Sequence, residues 1–262
     1  MSEVTEELVL PMSKIPPMVR DPKTLIIFSK PKVGKTSLLS TLPNCLIIDC
    51  EDGSDYIEGL KIKITSVSDI KKIVDMVIAA GKPYDYIALD TITKLEDMCI
   101  PYAEWLYSQT SMGATWFTKG KATYKSIINL PNGSGYPWLR ESFQRTIALL
   151  APACSRIILI GHVKDTMLEK NGVEFNALEL DLTGKIKRTT AMAADAIGYL
   201  SRVGDKNVLS FKTTDEVGCG ARPEHLRNQE IVVSEFIDGV YTTHWDKIYL
   251  DPVTDRTPPA EL

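Results

Sequence analysis

"LIIFSKPKVGKTSLL", residues 25–39, is the stretch that decides the fold. Its second half, Gly34, Lys35 and Thr36, closes the phosphate-binding pattern G-x-x-x-x-G-K-[ST], but Ser29 stands where that pattern has its first glycine. Such a loop curls its main-chain N–H groups around phosphate oxygens, while the lysine reaches the terminal phosphates and the hydroxyl meets magnesium. Ser29 can open this turn if its φ is negative, whereas Gly34 comes closest to phosphate and is harder to replace. The flanks fit: "LIIF" is apolar and β-favouring, and the leucines of "SLLSTL" fall at helical spacing, so strand, loop and helix start are predicted in the required order. The expected nucleotide contacts are Ser29, Lys32, Val33, Gly34, Lys35, Thr36 and Ser37.

With 262 residues, 44% hydrophobic and 24% charged, the chain has room for one large α/β domain with an insertion and a tail. No apolar run approaches transmembrane length, and no apolar stretch follows a basic start, so a cytoplasmic protein is expected. Cys45, Cys50, Cys99, Cys154 and Cys219 lack C-x-x-C spacing and read as reduced, buried small hydrophobes rather than zinc ligands. A net charge of -4 gives no global attraction to nucleic acid. Any such binding needs a local basic face.

Along the chain, residues 1–20 are a proline-broken lead-in, 21–247 a single α/β unit, and 248–262 a disordered tail. Strand signals at "TLIIF", "NCLIIDCE", "YDYIALD" and "SRIILIGHV" alternate with helical ones at "ITSVSDIKKIVDMVIAA" and "SFQRTIALLAP". That order predicts a mostly parallel, doubly wound sheet with ligands at the strand C-termini. Further strands in "AADAIGYLSRVG", "KNVLSFKTT", "EIVVSEF" and "VYTTHW" extend it in antiparallel fashion on the C-terminal side. Residues of about 95–135 form an insertion rich in lysine and aromatics, too long for an ordinary loop and expected to be partly helical.

Several side chains fall where this sheet would expose them. Glu51, sixteen residues after Lys35, would emerge on the rim of the phosphate loop and hold the water that attacks the γ-phosphate. Asp49 shares its strand face and is a candidate for magnesium through water. Asp90 ends the run "YIALD" as a magnesium-side carboxylate acting with Thr36, and Thr91 would orient it. His162, at the end of "LIGH", either senses the γ-phosphate or is satisfied by main chain. A polar segment follows, in which Lys185, Lys187 and Arg188 form a basic cluster suited to phosphodiester contacts, or simply a solvated loop. In the insertion, Lys119, Lys121 and Lys125 mix with Trp116, Phe117 and Tyr124, with Tyr136 and Trp138 beyond; these suit base stacking, or a small helical core. Arg222, in "CGARP", and Arg227 are the arginines placed to reach a neighbouring subunit's nucleotide.

Taken together, "SKPKVGKTSLL", "LIIDCEDG", "YIALDTITKLED", "GSGYPWLRESFQRTIALL" before "IILIGHVKD", "GKIKRTTAMAADAIGYL" and "CGARP" resemble the RecA-like P-loop ATPases of bacteriophages, the Sak-type annealing and recombination proteins, over about Pro22 to Trp245. The resemblance implies a RecA-like fold and ATP with Mg2+, with Glu51 and Lys35 catalytic and Arg222 acting in trans. It also implies rings or filaments with nucleotide at subunit interfaces, single-stranded DNA as partner, and a single-strand-binding or replication protein alongside, in a host cytoplasm. Ser29 departs from that pattern. So do His162, where RecA has a glutamine, and Gly220, where related motors often carry a lysine. A hexameric helicase-like motor, a P-loop small-molecule kinase and a nucleotide-gated scaffold are the competing readings.

Overall fold

The computed structural model describes residues 10, 12–17, 19–118, 126–170 and 172–251. β1 (Thr24–Ser29) lies in the middle of its sheet and sends side chains alternately into two cores. Leu25 and Ile27 enter one and Ile26 and Phe28 the other, and none is more than 1% exposed. An unbroken apolar run is what a strand covered on both faces requires.

After β1 come α1 (Lys35–Ser40), β2 (Cys45–Asp49), β3 (Lys61–Lys63), α2 (Val67–Ala79), β4 (Tyr86–Asp90), α3 (Ile92–Met98), α4 (Ile100–Ser108), α5 (Ser111–Thr118) and α6 (Tyr136–Ala148). Then follow β5 (Ile157–Lys170), β6 (Val173–Leu180), α7 (Gly184–Ala193), β7 (Ala196–Val203), β8 (Lys206–Ser210), β9 (Gly220–Ala221), β10 (Glu230–Ile237) and β11 (Val240–Thr243). The sheet order is β11-β10-β8-β7-β1-β5-β4-β2-β3, with β6 paired to β5 and β9 to β7. From β7 to β3 all neighbours are parallel, and β8, β10 and β11 continue antiparallel. This is the mixed, mostly parallel sheet that the alternation of strand and helix signals predicts.

Two helical layers cover it. Leu38 and Leu39 of α1 join Leu25 and Ile27 on one face; Ile70 and Ile73 of α2, Leu95 of α3, Ala103 of α4 and Phe143 of α6 join Ile26 and Phe28 on the other. α2 begins at a capping box, Ser66 and Asp69 exchanging hydrogen bonds. The Trp245 indole donates to the Leu38 carbonyl at 3.1 Å, fastening the C-terminal segment to the end of α1.

Three segments differ from expectation. The polar segment after His162 is a β-hairpin: β5 leaves the sheet there and pairs with β6 from Val163↔Leu180 to Lys170↔Val173, with Phe175 and Ala177 of β6 on one face. β3 is an exposed three-residue edge strand, too short for period-2 alternation to register. The chain stays packed beyond 247, since Ile248 and Tyr249 are buried and the Arg156 guanidinium donates to the Asp251 carbonyl at 2.7 Å. Arg156 also pairs with Asp21 at 2.9 Å, so both ends of the described domain meet beneath the sheet. Just beyond the insertion, on α6, Trp138 packs against Tyr107 and the core cluster, which assigns it to packing, while Tyr136 is exposed. No described helix is long and apolar enough to cross a membrane.

Candidate nucleotide site

The phosphate loop follows β1 directly. Lys32 and Gly34 take positive φ, 63° and 108°, and the Leu38 N–H donates to the Gly34 carbonyl at 2.9 Å to start α1. Ser29 is not among the residues of positive φ, so a serine opens this turn without strain. It is fully buried, and its Oγ receives the Lys35 ammonium at 3.1 Å while donating to the Lys30 carbonyl at 2.8 Å. The lysine is therefore folded back under its own loop. Burial holds its pKa below the ordinary value, against the attraction of Asp90 and Glu51. Lys32 and Ser37 are exposed, and Val33 is half-buried against the core with its carbonyl accepting from Arg202 Nη2 at 3.3 Å.

Glu51 and His162 meet across the rim. Nε2 of His162 lies 3.0 and 3.1 Å from the two carboxylate oxygens, and Thr91 Oγ1 donates to the same carboxylate. An ionised carboxylate only accepts, so Nε2 carries the proton, and Nδ1 is left buried with no partner among the described residues. The hydrogen bond from His162 is the main reason the Glu51 carboxyl sits below its ordinary range, Thr91 and Lys35 adding to it against partial burial. Thr91 thus serves Glu51 rather than Asp90, and it also caps α3 by accepting from Lys94 N at 3.2 Å. The Asp90–Thr91 peptide is cis.

Thr36 and Asp90 form a second group, with Oγ1 to Oδ2 at 2.5 Å. Burial raises the Asp90 carboxyl, outweighing the hydrogen bond from Thr36 and the charge of Lys35. A hydroxyl and one desolvated carboxylate are hard oxygen donors of the kind Mg2+ takes when substrate phosphates and water complete its shell, so the residues fit that ion. Asp49 does not join them. Its Oδ1 accepts from the N–H of Glu51 and Asp52 and its Oδ2 from Ser54, at 2.8–2.9 Å, and these bonds outweigh burial to lower its carboxyl. Three main-chain N–H groups thus make Asp49 the residue that shapes the loop presenting Glu51, with a lone-pair site of Oδ2 still open to a water.

Other expected residues lie elsewhere. Arg222 is at the opposite rim: its N–H donates to the Asp195 carbonyl and its Nη1 to Asp195 Oδ1 at 3.0 Å, while Asp195 Oδ2 accepts from Lys23 and Thr24 at the start of β1. Six residues of β1 place about 20 Å between that rim and the phosphate loop. Arg227 Nη2 donates to the Arg222 carbonyl. Lys185, Lys187 and Arg188 stand on α7, not on a loop; Lys187 is tied to Glu179, leaving Lys185 and Arg188 exposed. Lys119, Lys121, Tyr124 and Lys125, and the side chains of Trp116 and Phe117, lie outside the described residues. Sequence reasoning missed Arg202 and Asn207, which press on the phosphate loop from β7 and β8 and carry no motif in sequence.

A family model described as "AAA domain" matches residues 21–222. No curated protein matches the sequence. Among solved structures, the flagellar accessory protein FlaH from Methanocaldococcus jannaschii is similar at 14% identity and a TM-score of 0.33, covering 72% of this chain and 78% of its own. The strand order and the loop after β1 make the fold a RecA-like P-loop α/β domain. The match over residues 21–222 and the loop that ends in Gly34, Lys35 and Thr36 agree: the chain belongs to the AAA domain family of P-loop ATPases.

Proposed function

We propose that the protein binds ATP with Mg2+ and hydrolyses it on single-stranded DNA, in the annealing, recombination or replication chemistry of a bacteriophage, as a ring or filament with nucleotide at its subunit interfaces. The observation that carries the hydrolytic part is the Glu51 carboxylate, held ionised by His162 and Thr91 on the rim that also carries Lys35 and Asp90. Glu51 holds and deprotonates the attacking water, Lys35 turns from Ser29 to the phosphates, and Thr36 and Asp90 hold the metal. Bound Mg2+ supplies charge neutralisation at the β- and γ-phosphates.

Two features support the assembly and the DNA. Arg222 has a side chain 62% exposed and far from its own loop, which supports a role at a second copy's nucleotide. Tyr136, Arg140 and Lys185 border a cleft of about 420 Å³ where α6 and α7 begin, combining an exposed ring with cations as single-strand binders do. A helicase-like motor shares all of these parts, and directional unwinding of a duplex would favour it.

The experiment is ATP hydrolysis with and without single-stranded DNA across a salt series, for the native protein and Glu51→Gln. DNA stimulation that fades with salt and vanishes in the variant is expected. A rate indifferent to DNA, with Glu51 still essential, removes the DNA part and leaves the ATPase.

A further inference from the structure

At the strand tips beside the phosphate loop, β7–β8 and β10–β11 enclose a cleft of about 220 Å³ bordered by Arg202, Asp205, Asn207, Ser234, Phe236 and Tyr241. Strand register explains the grouping. Arg202 opposes Asn207, Asn207 opposes Ser234, and Phe236, two residues beyond Ser234, opposes Tyr241, so the alternation of strand side chains puts all of them on one face. Leu200 and Leu209, one step down the same face, pack in the core cluster with Leu38 and Leu39 of α1. The cleft therefore opens on the face of the sheet that carries α1.

It also abuts the loop. Arg202 Nη2 donates to the Val33 carbonyl at 3.3 Å, and a Cβ placed on Gly34 would stand 3.5 Å from Asn207 Nδ2 and 3.7 Å from Arg202 Nη2. Asn207 is held from behind by the Ser234 hydroxyl at 3.0 Å. Phe236 and Tyr241 are 53% and 39% exposed. Two adjacent half-exposed rings on strands are surface without an internal use.

Direction decides what they face. Glu51, Asp90 and His162 end β2, β4 or lie on β5, all on one side of β1, and the γ-phosphate belongs with them. β7, β8, β10 and β11 lie on the other side of β1. A nucleotide whose terminal phosphate points to Glu51 sends its base the opposite way, over Val33 and toward this cleft.

We infer that Phe236, Tyr241 and Arg202 form the seat of the nucleobase, favouring nucleoside triphosphates over bare polyphosphate. The rings offer a stacking face, and the guanidinium, anchored to Val33, covers the edge nearest the phosphates. The inference rests on the nucleotide reading above.

The test measures binding of ATP, CTP and inorganic tripolyphosphate, with Mg2+, to the native protein, Lys35→Ala, the double variant Phe236→Ala/Tyr241→Ala, and Phe236→Trp. The native protein is expected to prefer both nucleotides over tripolyphosphate. The double variant should lose roughly 10-fold in ATP affinity and keep its affinity for tripolyphosphate, with Phe236→Trp retaining the preference. Retained polyphosphate binding also reports that the double variant is folded. An undiminished advantage of ATP in the double variant, or no advantage in the native protein, overturns the seat while leaving the phosphate loop intact. Binding of neither ATP nor tripolyphosphate, or binding that ignores Lys35→Ala, overturns the nucleotide reading and the seat with it. If the double variant fails to fold, the native protein decides: nuclear Overhauser contacts from adenine protons to phenylalanine and tyrosine ring protons support the seat, and their absence overturns it.

Discussion

The Glu51 carboxylate and the His162 imidazole stand 3.0 Å apart across the rim of the sheet, one at the end of β2 and the other at the point where β5 leaves its neighbours to become a hairpin arm. The pair joins a rim carboxylate to the root of the β5–β6 hairpin. Glu51→Gln keeps the shape but removes the base, so nucleotide binding should persist while hydrolysis falls by about 10²–10⁴-fold. His162→Ala leaves the base and frees its orientation, and should cost less. Steady-state hydrolysis beside equilibrium binding separates the two; equal losses in both variants would contradict distinct roles.

The same pair sets a pH dependence of stability. The Glu51 carboxyl lies below its ordinary 4.5 in the folded protein, chiefly through His162. A depressed carboxyl stabilises the fold fully above the unfolded value and loses that contribution as pH falls through the folded one. Denaturant midpoints of the native protein and His162→Ala should therefore differ most above pH 4.5 and converge below it. A gap that widens with acid would contradict the assignment.

Ser29 holds the Lys35 ammonium that a phosphate would claim. Removing the hydroxyl takes away a competing partner in the free state, since hydrogen bonds to charged groups are worth about 1.5–3 kcal/mol. Ser29→Ala should tighten nucleotide binding by about threefold or more, read by calorimetric titration. Weaker binding would mean that the hydroxyl itself contacts phosphate.

Most of this was legible in the sequence where a physical constraint is local. An apolar run, a glycine at positive φ and a lysine and threonine beside it needed no tertiary knowledge, and β1, the loop and α1 stand where the pattern put them. Glu51 and Asp90 followed from parallel strands ending on one rim. What sequence hid was the partner of each side chain. Asp49 and Glu51 are both acids at a strand end, and only the three N–H groups converging on Asp49 show that it shapes the turn. Arg202 reaches Val33 over 169 residues, a contact made by sheet order that no spacing rule carries. The charged segment 163–170 looked like loop because Val163, Met167 and Leu168 follow no period-2 pattern; its strand comes from pairing with β6, which no local spacing carries.

Buried Arg156 should matter more to stability than any surface pair. It donates to Asp21 and to the Asp251 carbonyl beneath Tyr86 and Tyr249, with side chains only 11% and 5% exposed in the ion pair. Removing one partner leaves the other charge buried, at a cost of about 3 kcal/mol. Arg156→Ala should lower stability by about that amount in urea titration and expose the segment around Ile248 to protease. A loss below about 1 kcal/mol would show that the pair is solvated.

Arg222 gives the test of assembly. Its ion pair with Asp195 and its hydrogen bond to the Met192 carbonyl hold it at the rim opposite the phosphate loop, so it has no path to its own nucleotide. If it serves a neighbour, Arg222→Ala should lose about 10³-fold or more in hydrolysis while binding nucleotide normally. Mixing Arg222→Ala with Glu51→Gln then forms interfaces that pair an intact Glu51 with a neighbour's intact Arg222, and activity should return in proportion to that fraction of mixed interfaces. Activity that stays at the sum of the two parents would place Arg222 in a structural role, as the partner that Asp195 needs beside the start of β1.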